Sequence, residues 1–209
     1  SVLPITSLIL EQHVNLHLWA YLELNAFSIS DKSGFREHHS CQTALIKTID
    51  DCLSAINQNK IAGSLFKTFL KRLIWSIHKL KLYNIDTSWF SSYLNKRFQQ
   101  THYVSAISDI KEMISGVPTG SVLGPILLLI YVNDLPLSIT STCADIFADD
   151  TLGSSSHSID TLVETLKTVL QNVLSWCNSN NMPLNVSKTI LCISHLDTNS
   201  RLLQIVIMI

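Results

Sequence analysis

Two adjacent aspartates, Asp149 and Asp150, directly follow the apolar segment 146–148 and constrain the fold more than any other feature of the chain. An apolar strand that runs into an acidic turn is typical of a β-hairpin, so we predict a hairpin over residues 143–151. Neighbouring carboxylates repel each other unless a cation or solvent compensates their charge. A tight turn can present both of them to a divalent metal ion, which prefers oxygen ligands. Two-metal phosphoryl transfer uses such a cluster, and a surface turn with two aspartates is the ordinary alternative.

The segment Gly116–Ser121 (Gly-Val-Pro-Thr-Gly-Ser) is the second informative feature. Two glycines around a proline predict a rigid bend whose backbone can lie against a flat ligand, such as a base pair, without a clash of Cβ atoms. Taken alone, the pattern also fits an ordinary loop. It leads into the apolar segment Ile126–Leu135, which we predict to be helical.

The remaining segments mix helical and strand periodicities without a regular alternation, which predicts an α+β fold. Apolar residues at helical spacing predict helices over Ile9–Leu24, Thr43–Asn57 and Ile159–Cys177. Mixed basic and apolar residues predict a further helix over Lys67–Leu82. Short apolar or alternating runs predict strands over Ile61–Phe66, Thr101–Ile107 and Leu191–His195.

We predict Ser40 or Thr43 as the cap of the helix over Thr43–Asn57. Its predicted apolar face consists of Leu45, Ile49, Cys52 and Ile56.

The composition limits the partners and the compartment. The chain of 209 residues is 46% hydrophobic with a formal net charge of −1, so it can bury a core, and its overall charge does not favour polyanions. Eight lysines and arginines against one acid make Lys60–Gln100 a basic segment, which suits either nucleic-acid binding or a solvated helix face.

Five scattered cysteines predict reduced thiols in an intracellular protein, and we expect no signal peptide or membrane span. His13 and His17 have the spacing of a helical metal pair but lack a nearby third ligand, so we expect no metal there.

Together, the acidic hairpin and the glycine segment resemble consecutive palm motifs of non-LTR (LINE-type, jockey-like) reverse transcriptases. The first motif spans residues 116–136, from Gly-Val-Pro-Thr-Gly-Ser to Tyr-Val-Asn-Asp-Leu-Pro, and the second is Phe-Ala-Asp-Asp-Thr at 147–151. Three further segments are similar, in the family's order, to its fingers motif, its connector and its lysine-bearing palm motif: Ser33–Leu45, Trp89–Gln99 and Trp176–Thr189. The resemblance covers residues 1–195.

The resemblance implies an α+β polymerase right hand with fingers and palm, an antiparallel palm sheet backed by helices, and a thumb that is absent or truncated. It implies RNA-directed DNA polymerase activity, in which deoxynucleoside triphosphates extend a DNA 3′ end on an RNA template by two-metal nucleotidyl transfer. Asp149 and Asp150 would be the catalytic residues and the ligands of two Mg²⁺ ions. The resemblance also implies a nuclear location and no membrane partner.

Contacts with the nucleotide and template are implied in the same way. Four residues of the glycine segment would pack against the nascent base pair: Gly116, Pro118, Thr119 and Gly120. Thr119 replaces the glutamine that is usual in the family. Arg36 would contact the triphosphate, because a guanidinium suits phosphate oxygens, and Lys188 would assist the departure of pyrophosphate. For these two cations the alternative is an exposed surface position.

One carboxylate of the family is missing. The palm strand motif that should follow Phe66 reads Asp-Phe-Ser-Lys-Ala-Phe-Asp-Leu-Val-Asp-His in the family, whereas Lys67–Ile77 contains no acid. Permitted codons of this segment, read two nucleotides later, can encode Ala-Phe-Asp-Leu-Val-Asp, and His78 then takes the place of the motif's histidine. We hypothesise two compensating frameshifts, and sequencing the coding DNA would test this.

Without that carboxylate, both the affinity for Mg²⁺ and the in-line geometry should suffer, because positioning is most of this catalysis. We therefore predict a partial fingers and palm domain over 1–195, degenerate at about 67–78 and impaired or inactive, followed by an unassigned apolar tail at 196–209. The alternative function is a catalytically inactive relic that at most binds nucleic acid. A helical interaction domain with a chance acidic hairpin is an unrelated third interpretation.

Overall fold

A computed structural model of the chain describes residues 3–25, 40–66, 76–112, 117, 120–139, 152–196 and 202–208. In chain order, the helices are α1 (Ile5–Leu24), α2 (Cys41–Asn57), α3 (Ser76–Leu82), α4 (Ser88–Leu94), α5 (Gly124–Tyr131) and α6 (Ile159–Ser179). The strands are β1 (Ile61–Phe66), β2 (Phe98–Gln99), β3 (His102–Tyr103), β4 (Ala106–Ile107), β5 (Lys111–Glu112), β6 (Leu152–Ser156), β7 (Ile190–Leu196) and β8 (Leu202–Met208). Helices and antiparallel strands together confirm the predicted α+β class.

The chain divides into two units. The first comprises Ser1–Phe27 and Lys71–Tyr131, and the second comprises Ser28–Leu70 and Val132–Ile209.

In the first unit, the predicted N-terminal helix is confirmed as α1, which begins at Ile5 rather than at Ile9. Its apolar side is buried at Leu22. The hydroxyl of Tyr21 donates a hydrogen bond to the carbonyl of Tyr83, at 3.0 Å. This bond ties α1 to the residue that follows α3.

The helix predicted after the glycine segment is confirmed as α5, but its predicted end is wrong. α5 stops at Tyr131, and after a turn the chain forms a 3-10 helix over Leu135–Ser138. Pro136 lies in the first turn of this 3-10 helix and restricts Leu135, the last residue of the predicted helix. Apart from Pro125, every residue of α5 is buried.

The strand predicted over Thr101–Ile107 is instead a hairpin. β3 pairs with β4, and the turn between them places Val104 at a φ of 54°. β2 pairs with β5 further from the tip, and all side chains from β2 to β5 are exposed. The alternating pattern indicated extended backbone, but no glycine marks the turn, so the reversal was not predictable from turn signals.

The second unit is built on a four-stranded antiparallel sheet in the order β6-β1-β7-β8. β1 and β7 confirm the strands predicted over Ile61–Phe66 and Leu191–His195. The tail 196–209, to which the sequence assigned no structure, contributes β8. This strand pairs with β7 from Leu196 opposite Leu202 to Ile190 opposite Met208.

Two helices cover opposite faces of this sheet. A Cβ atom at Gly63 of β1 would lie 2.8 Å from Cδ1 of Leu166 in α6. The next residue, Ser64, has its Oγ 3.8 Å from Sγ of Cys52 in α2. Because consecutive residues of a strand point to opposite faces, α6 and α2 lie on the two sides of β1. The sheet is thus backed by helices, as expected.

α6 confirms the predicted helix, and its apolar side packs on the sheet through Leu162 and Leu166. α2 is confirmed as a helix, with Ser40 as the N-cap: the Ser40 hydroxyl accepts from the Thr43 amide at 3.1 Å, and the Thr43 hydroxyl accepts from the Ser40 amide at 2.9 Å.

The apolar face predicted for α2 is exposed in its first half. Leu45 and Ile49 are 55% and 49% exposed, whereas Ile56 is buried and Cys52 half-buried. Apolar residues also occur at Ile46, so the stripe is wide, and only its C-terminal part meets the sheet.

Within the described ranges, no helix has the length and apolar character needed to cross a bilayer. In the part of the chain that the structure describes, Cys52, Cys177 and Cys192 form no disulfide bond.

Candidate functional site

One end of the sheet brings together three chain segments that carry sequence motifs. β1 ends at Phe66, which pairs with Ile190 at the start of β7. Leu65 pairs with Leu152 at the start of β6. The chain therefore leaves β1 at the same end of the sheet at which it enters β6 and β7. Lys188 lies two positions before the first residue of β7, so it belongs to this end as well.

The structure describes two of the eight site residues predicted from the sequence, Gly120 and Lys188, and they belong to different units. Six lie outside the described residues: Arg36, Gly116, Pro118, Thr119, Asp149 and Asp150.

Lys188 ends a 3-10 helix, Val186–Lys188, whose backbone is tightly held. The Lys188 amide donates to the Asn185 carbonyl at 3.1 Å, and the hydroxyl of Thr189 donates to the same carbonyl at 3.0 Å. Thr189 is 1% exposed, whereas the side chain of Lys188 is exposed. The turn therefore fixes the backbone of Lys188 and leaves its ammonium accessible to an anion.

The described part of the glycine segment has two conformational constraints. Gly120 adopts a φ of 91°, in the left-handed region that glycine enters without a steric penalty. A Cβ atom at Gly124 would lie 3.0 Å from Cγ2 of Val117, so Gly124 allows Val117 to approach the start of α5 closely. Glycine is thus required at position 120 by the backbone conformation and at position 124 by the close approach of Val117.

A buried carboxylate holds the residues that follow Gly120. Oε2 of Glu11, in α1, accepts from the amide of Val122 at 2.8 Å and from the hydroxyl of Ser121 at 2.9 Å. Oγ of Ser121 in turn accepts from the amides of Leu123 and Gly124, at 3.2 Å each. The carboxylate and the serine together satisfy backbone donors at the N-terminal end of α5 that have no partner within the helix.

Tyr93 of α4 completes this network. Its hydroxyl lies 2.7 Å from Oγ of Ser121, and the guanidinium of Arg97 lies 4.2 Å from the centre of its ring. Burial raises the pKa of Tyr93 to about 12, and the charge of Glu11 adds to the increase, while the hydrogen bond with Ser121 opposes it. Since the single hydrogen of Ser121 goes to Glu11, the neutral phenol of Tyr93 donates to Ser121.

Sequence reasoning missed both Glu11 and Tyr93. Glu11 is one of two glutamates of α1, and it directly follows the apolar run Leu8–Leu10. A carboxylate beside an apolar run can indicate a buried polar contact. Its partners, however, lie 110 and 111 positions away in the chain.

The described residues contain no group of three His, Cys, Asp or Glu side chains that could hold a metal ion. His17 Nδ1 lies 2.9 Å from the carbonyl of His13. The expected Mg²⁺ ligands, Asp149 and Asp150, lie outside the described ranges, and Lys67–Ile77 offers no carboxylate to join them.

Comparison with known proteins adds an independent finding. Residues 2–201 match a family model described as "Reverse transcriptase (RNA-dependent DNA polymerase)". The chain is 29% identical over 143 residues, or 65% of its length, to the probable RNA-directed DNA polymerase from transposon X-element of Drosophila melanogaster. It is 25% identical over 203 residues, or 90% of its length, to the RNA-directed DNA polymerase from mobile element jockey of the same species. The corresponding protein from transposon BS is 27% identical over 176 residues, or 75% of the chain. The matched regions are 16%, 22% and 19% of these curated relatives, respectively, so the chain spans about a fifth of their length.

Proposed function

Because the chain belongs to the reverse transcriptase (RNA-dependent DNA polymerase) family, we propose that its function is RNA-templated DNA synthesis at the motif-bearing end of the sheet, with catalysis impaired in this chain. The reaction is two-metal nucleotidyl transfer from a deoxynucleoside triphosphate onto a DNA 3′ end. The observation that carries the proposal is the register of β1 with β6 and β7.

That register supports the proposed location of the two aspartates. Leu152 pairs with Leu65, and Asp150 precedes Leu152 by two residues in the sequence. Two residues span at most about 8 Å of chain, because consecutive Cα atoms are about 3.8 Å apart. We therefore infer that the Asp150 carboxylate acts at the end of the sheet at which β1 ends.

Asp149 and Asp150 would hold Mg²⁺ through their carboxylate oxygens, which are the donors this ion prefers. Bound Mg²⁺ would neutralise the triphosphate and favour the attacking 3′ oxygen. The exposed ammonium of Lys188 lies at the same end of the sheet and can attract the departing pyrophosphate. We propose the same role as expected from the sequence for Arg36, on the triphosphate, and for the glycine segment, on the nascent base pair.

The impairment follows from the residue after β1. The family has an aspartate there, and this chain has Lys67. A lysine removes one metal ligand and adds a like charge that repels the ions. This feature also favours the second candidate function, an inactive domain that binds nucleic acid without extending a primer.

Primer extension on poly(rA)/oligo(dT) with Mg²⁺ tests the proposal. The negative control is the double variant Asp149→Ala/Asp150→Ala, and the rescue variant is Lys67→Asp. Lys67→Asn is the matched control, because it removes the cation without adding a carboxylate. We expect wild-type incorporation close to the negative control, and an increase of about tenfold for Lys67→Asp, which corresponds to ~1.4 kcal/mol of additional transition-state stabilisation.

The result distinguishes the two candidates. The two-metal proposal stands if Lys67→Asp raises incorporation and if this increase is absent when Asp149 and Asp150 are also changed to alanine. If no variant exceeds the negative control, catalysis at this site is refuted. Binding of the RNA–DNA hybrid by the same preparations would then support the nucleic-acid-binding alternative.

A further inference from the structure

Glu11 lies outside the motifs of the family resemblance, but it contacts Ser121 and Val122, which belong to the first palm motif. Glu11 is 1% exposed, although an ionised carboxylate is costly to bury unless it is hydrogen-bonded. Its Oε2 meets this requirement with two donors from one short stretch, the Val122 amide and the Ser121 hydroxyl. Hydrogen bonds to an ionised acceptor are shorter and stronger than neutral ones, and both distances are below 3.0 Å.

These bonds act on the backbone next to Gly120. Ser121 follows Gly120 directly, and fixing Ser121 and Val122 restricts the direction in which the chain leaves Gly120 at its φ of 91°. On the other side of positions 118–119, Val117 packs against Gly124. The two described residues that flank these positions are therefore both anchored near the start of α5.

We propose that Glu11 is a positioning residue, whose carboxylate holds Ser121 and Val122 so that Gly120 presents its backbone to the base pair at the primer end. The inference rests on the proposed function, in which the glycine segment contacts the nascent base pair. Glu11 touches neither substrate nor metal in this role. It acts through the backbone of residues 120–122.

A purely structural role predicts something different. If Glu11 only stabilised the start of α5, its loss would lower the stability of the unit. The apparent affinity for the hybrid would then fall only because a fraction of the chain is unfolded. If Glu11 positions the glycine segment, a folded variant without the acceptor would bind the hybrid more weakly. Glutamine should rescue this loss, because its Oε1 can accept from the same two donors.

The test uses the full chain and three substitutions. Glu11→Leu keeps most of the side-chain volume and removes the acceptor, and Glu11→Gln keeps one acceptor oxygen. Glu23→Leu is the matched control, because Glu23 is an exposed glutamate of the same helix. Hydrogen exchange of peptides that cover 117–124 reports on the local backbone, and fluorescence anisotropy with a labelled poly(rA)/oligo(dT) hybrid reports on affinity.

We expect the Val122 amide of Glu11→Leu to exchange about tenfold faster or more, as for the loss of a hydrogen bond to a charged acceptor. We expect the hybrid Kd of the same variant to rise about fivefold or more, with exchange in α6 unchanged. Glu11→Gln should recover most of both losses, and Glu23→Leu should match the wild type.

Two results would overturn the inference. One is a Val122 amide that exchanges at the wild-type rate in Glu11→Leu. The other is faster exchange at 117–124 with no change in hybrid affinity, which leaves only a structural role and leaves the proposed function intact. If the wild-type chain itself does not bind the hybrid, the proposed function and the role of Glu11 in it both fail, and the exchange data still decide whether Glu11 holds this backbone.

Discussion

Gly63 controls how closely α6 approaches the sheet, and the substitution Gly63→Ala measures this contact. The added Cβ would lie 2.8 Å from Cδ1 of Leu166, and 3.3 and 3.4 Å from the two δ carbons of Leu162. Real Cβ atoms do not approach carbon as closely as the first distance, so a leucine must rotate or α6 must shift. The interior is close-packed, and neither movement is free.

The magnitude follows from two opposing effects. An extra methyl group in a packed core costs about 1–3 kcal/mol. Alanine also restricts the unfolded chain more than glycine does, which stabilises the fold by about 0.4–1 kcal/mol. Because the clashing atom of Leu166 is the end of a flexible side chain, we take the lower part of the first range and expect a net loss of about 1 kcal/mol in the free energy of unfolding.

Urea denaturation followed by circular dichroism measures this loss, and a double-mutant cycle tests its cause. Leu166→Val removes the clashing Cδ1 atom and alone costs about 0.5–1.5 kcal/mol, by analogy with other losses of one methylene. In the Leu166→Val background, Gly63→Ala should be neutral or stabilising. An equal loss in both backgrounds, or no loss in either, would refute the argument that Leu166 limits the space at Gly63.

Three further predictions concern single groups. Ser40→Ala should destabilise the chain by about 1 kcal/mol through loss of the helix cap, whereas Gln42→Ala, at an exposed position of the same turn, should not; equal effects in urea denaturation would contradict the cap. The pKa of Tyr93 is raised to about 12 by burial, so the folded state binds the proton more tightly than the unfolded state, whose tyrosines titrate near 10. The stability contributed by the neutral Tyr93 should be fully present below about pH 10 and should be lost as the pH rises through about 12. Phenolate absorbance measures this titration, and the wild type should show a step at about pH 12 that is absent from Tyr93→Phe. A wild type without this step would contradict the prediction. Burial also raises the pKa of Cys52, although the hydrogen bond with Ser64 opposes this increase. Alkylation of Cys52, measured by mass spectrometry, should therefore require a higher pH in the folded chain than in urea. Equal midpoint pH values for alkylation in the two states would show that the thiol is not buried.

The elements that periodicity predicts well are those with one narrow apolar side or a continuous apolar run. α6 and β1 belong to this group, and both occur where the sequence predicts them. α2 shows the limit of the method. Apolar residues surround more than one side of this helix, so a spacing rule cannot tell which part of the stripe meets the sheet, and Leu45 and Ile49 are exposed. The C-terminal part of α2 meets the sheet: Sγ of Cys52 lies 3.8 Å from Oγ of Ser64, and Ala55 and Ile56 are buried.

The residues of the candidate site also differ in whether the sequence alone reveals them. The two aspartates, the glycine segment and Lys188 are recognisable because they occur within short motifs whose order resembles a known family. Glu11 is not recognisable in this way, since its role depends on donors 110 and 111 positions further along the chain. Nothing local to α1 specifies those donors. A buried charge becomes interpretable only when the fold supplies its partners.

The register of β1 also explains how a chain could keep the fold of this family and lose its chemistry. β1 pairs with β6 as far as Leu65 and with β7 as far as Phe66. The close approach of α6 depends on Gly63. All of these residues precede Lys67. Under the proposed function, the missing carboxylate would serve the metal ions, whereas these pairings of β1 are present without it. We therefore expect fold and catalysis to be separable at the boundary between Phe66 and Lys67. Lys67→Asp should change metal-dependent extension while the free energy of unfolding without metal stays within about 0.5 kcal/mol of the wild type, because the strand pairs of β1 end at Phe66.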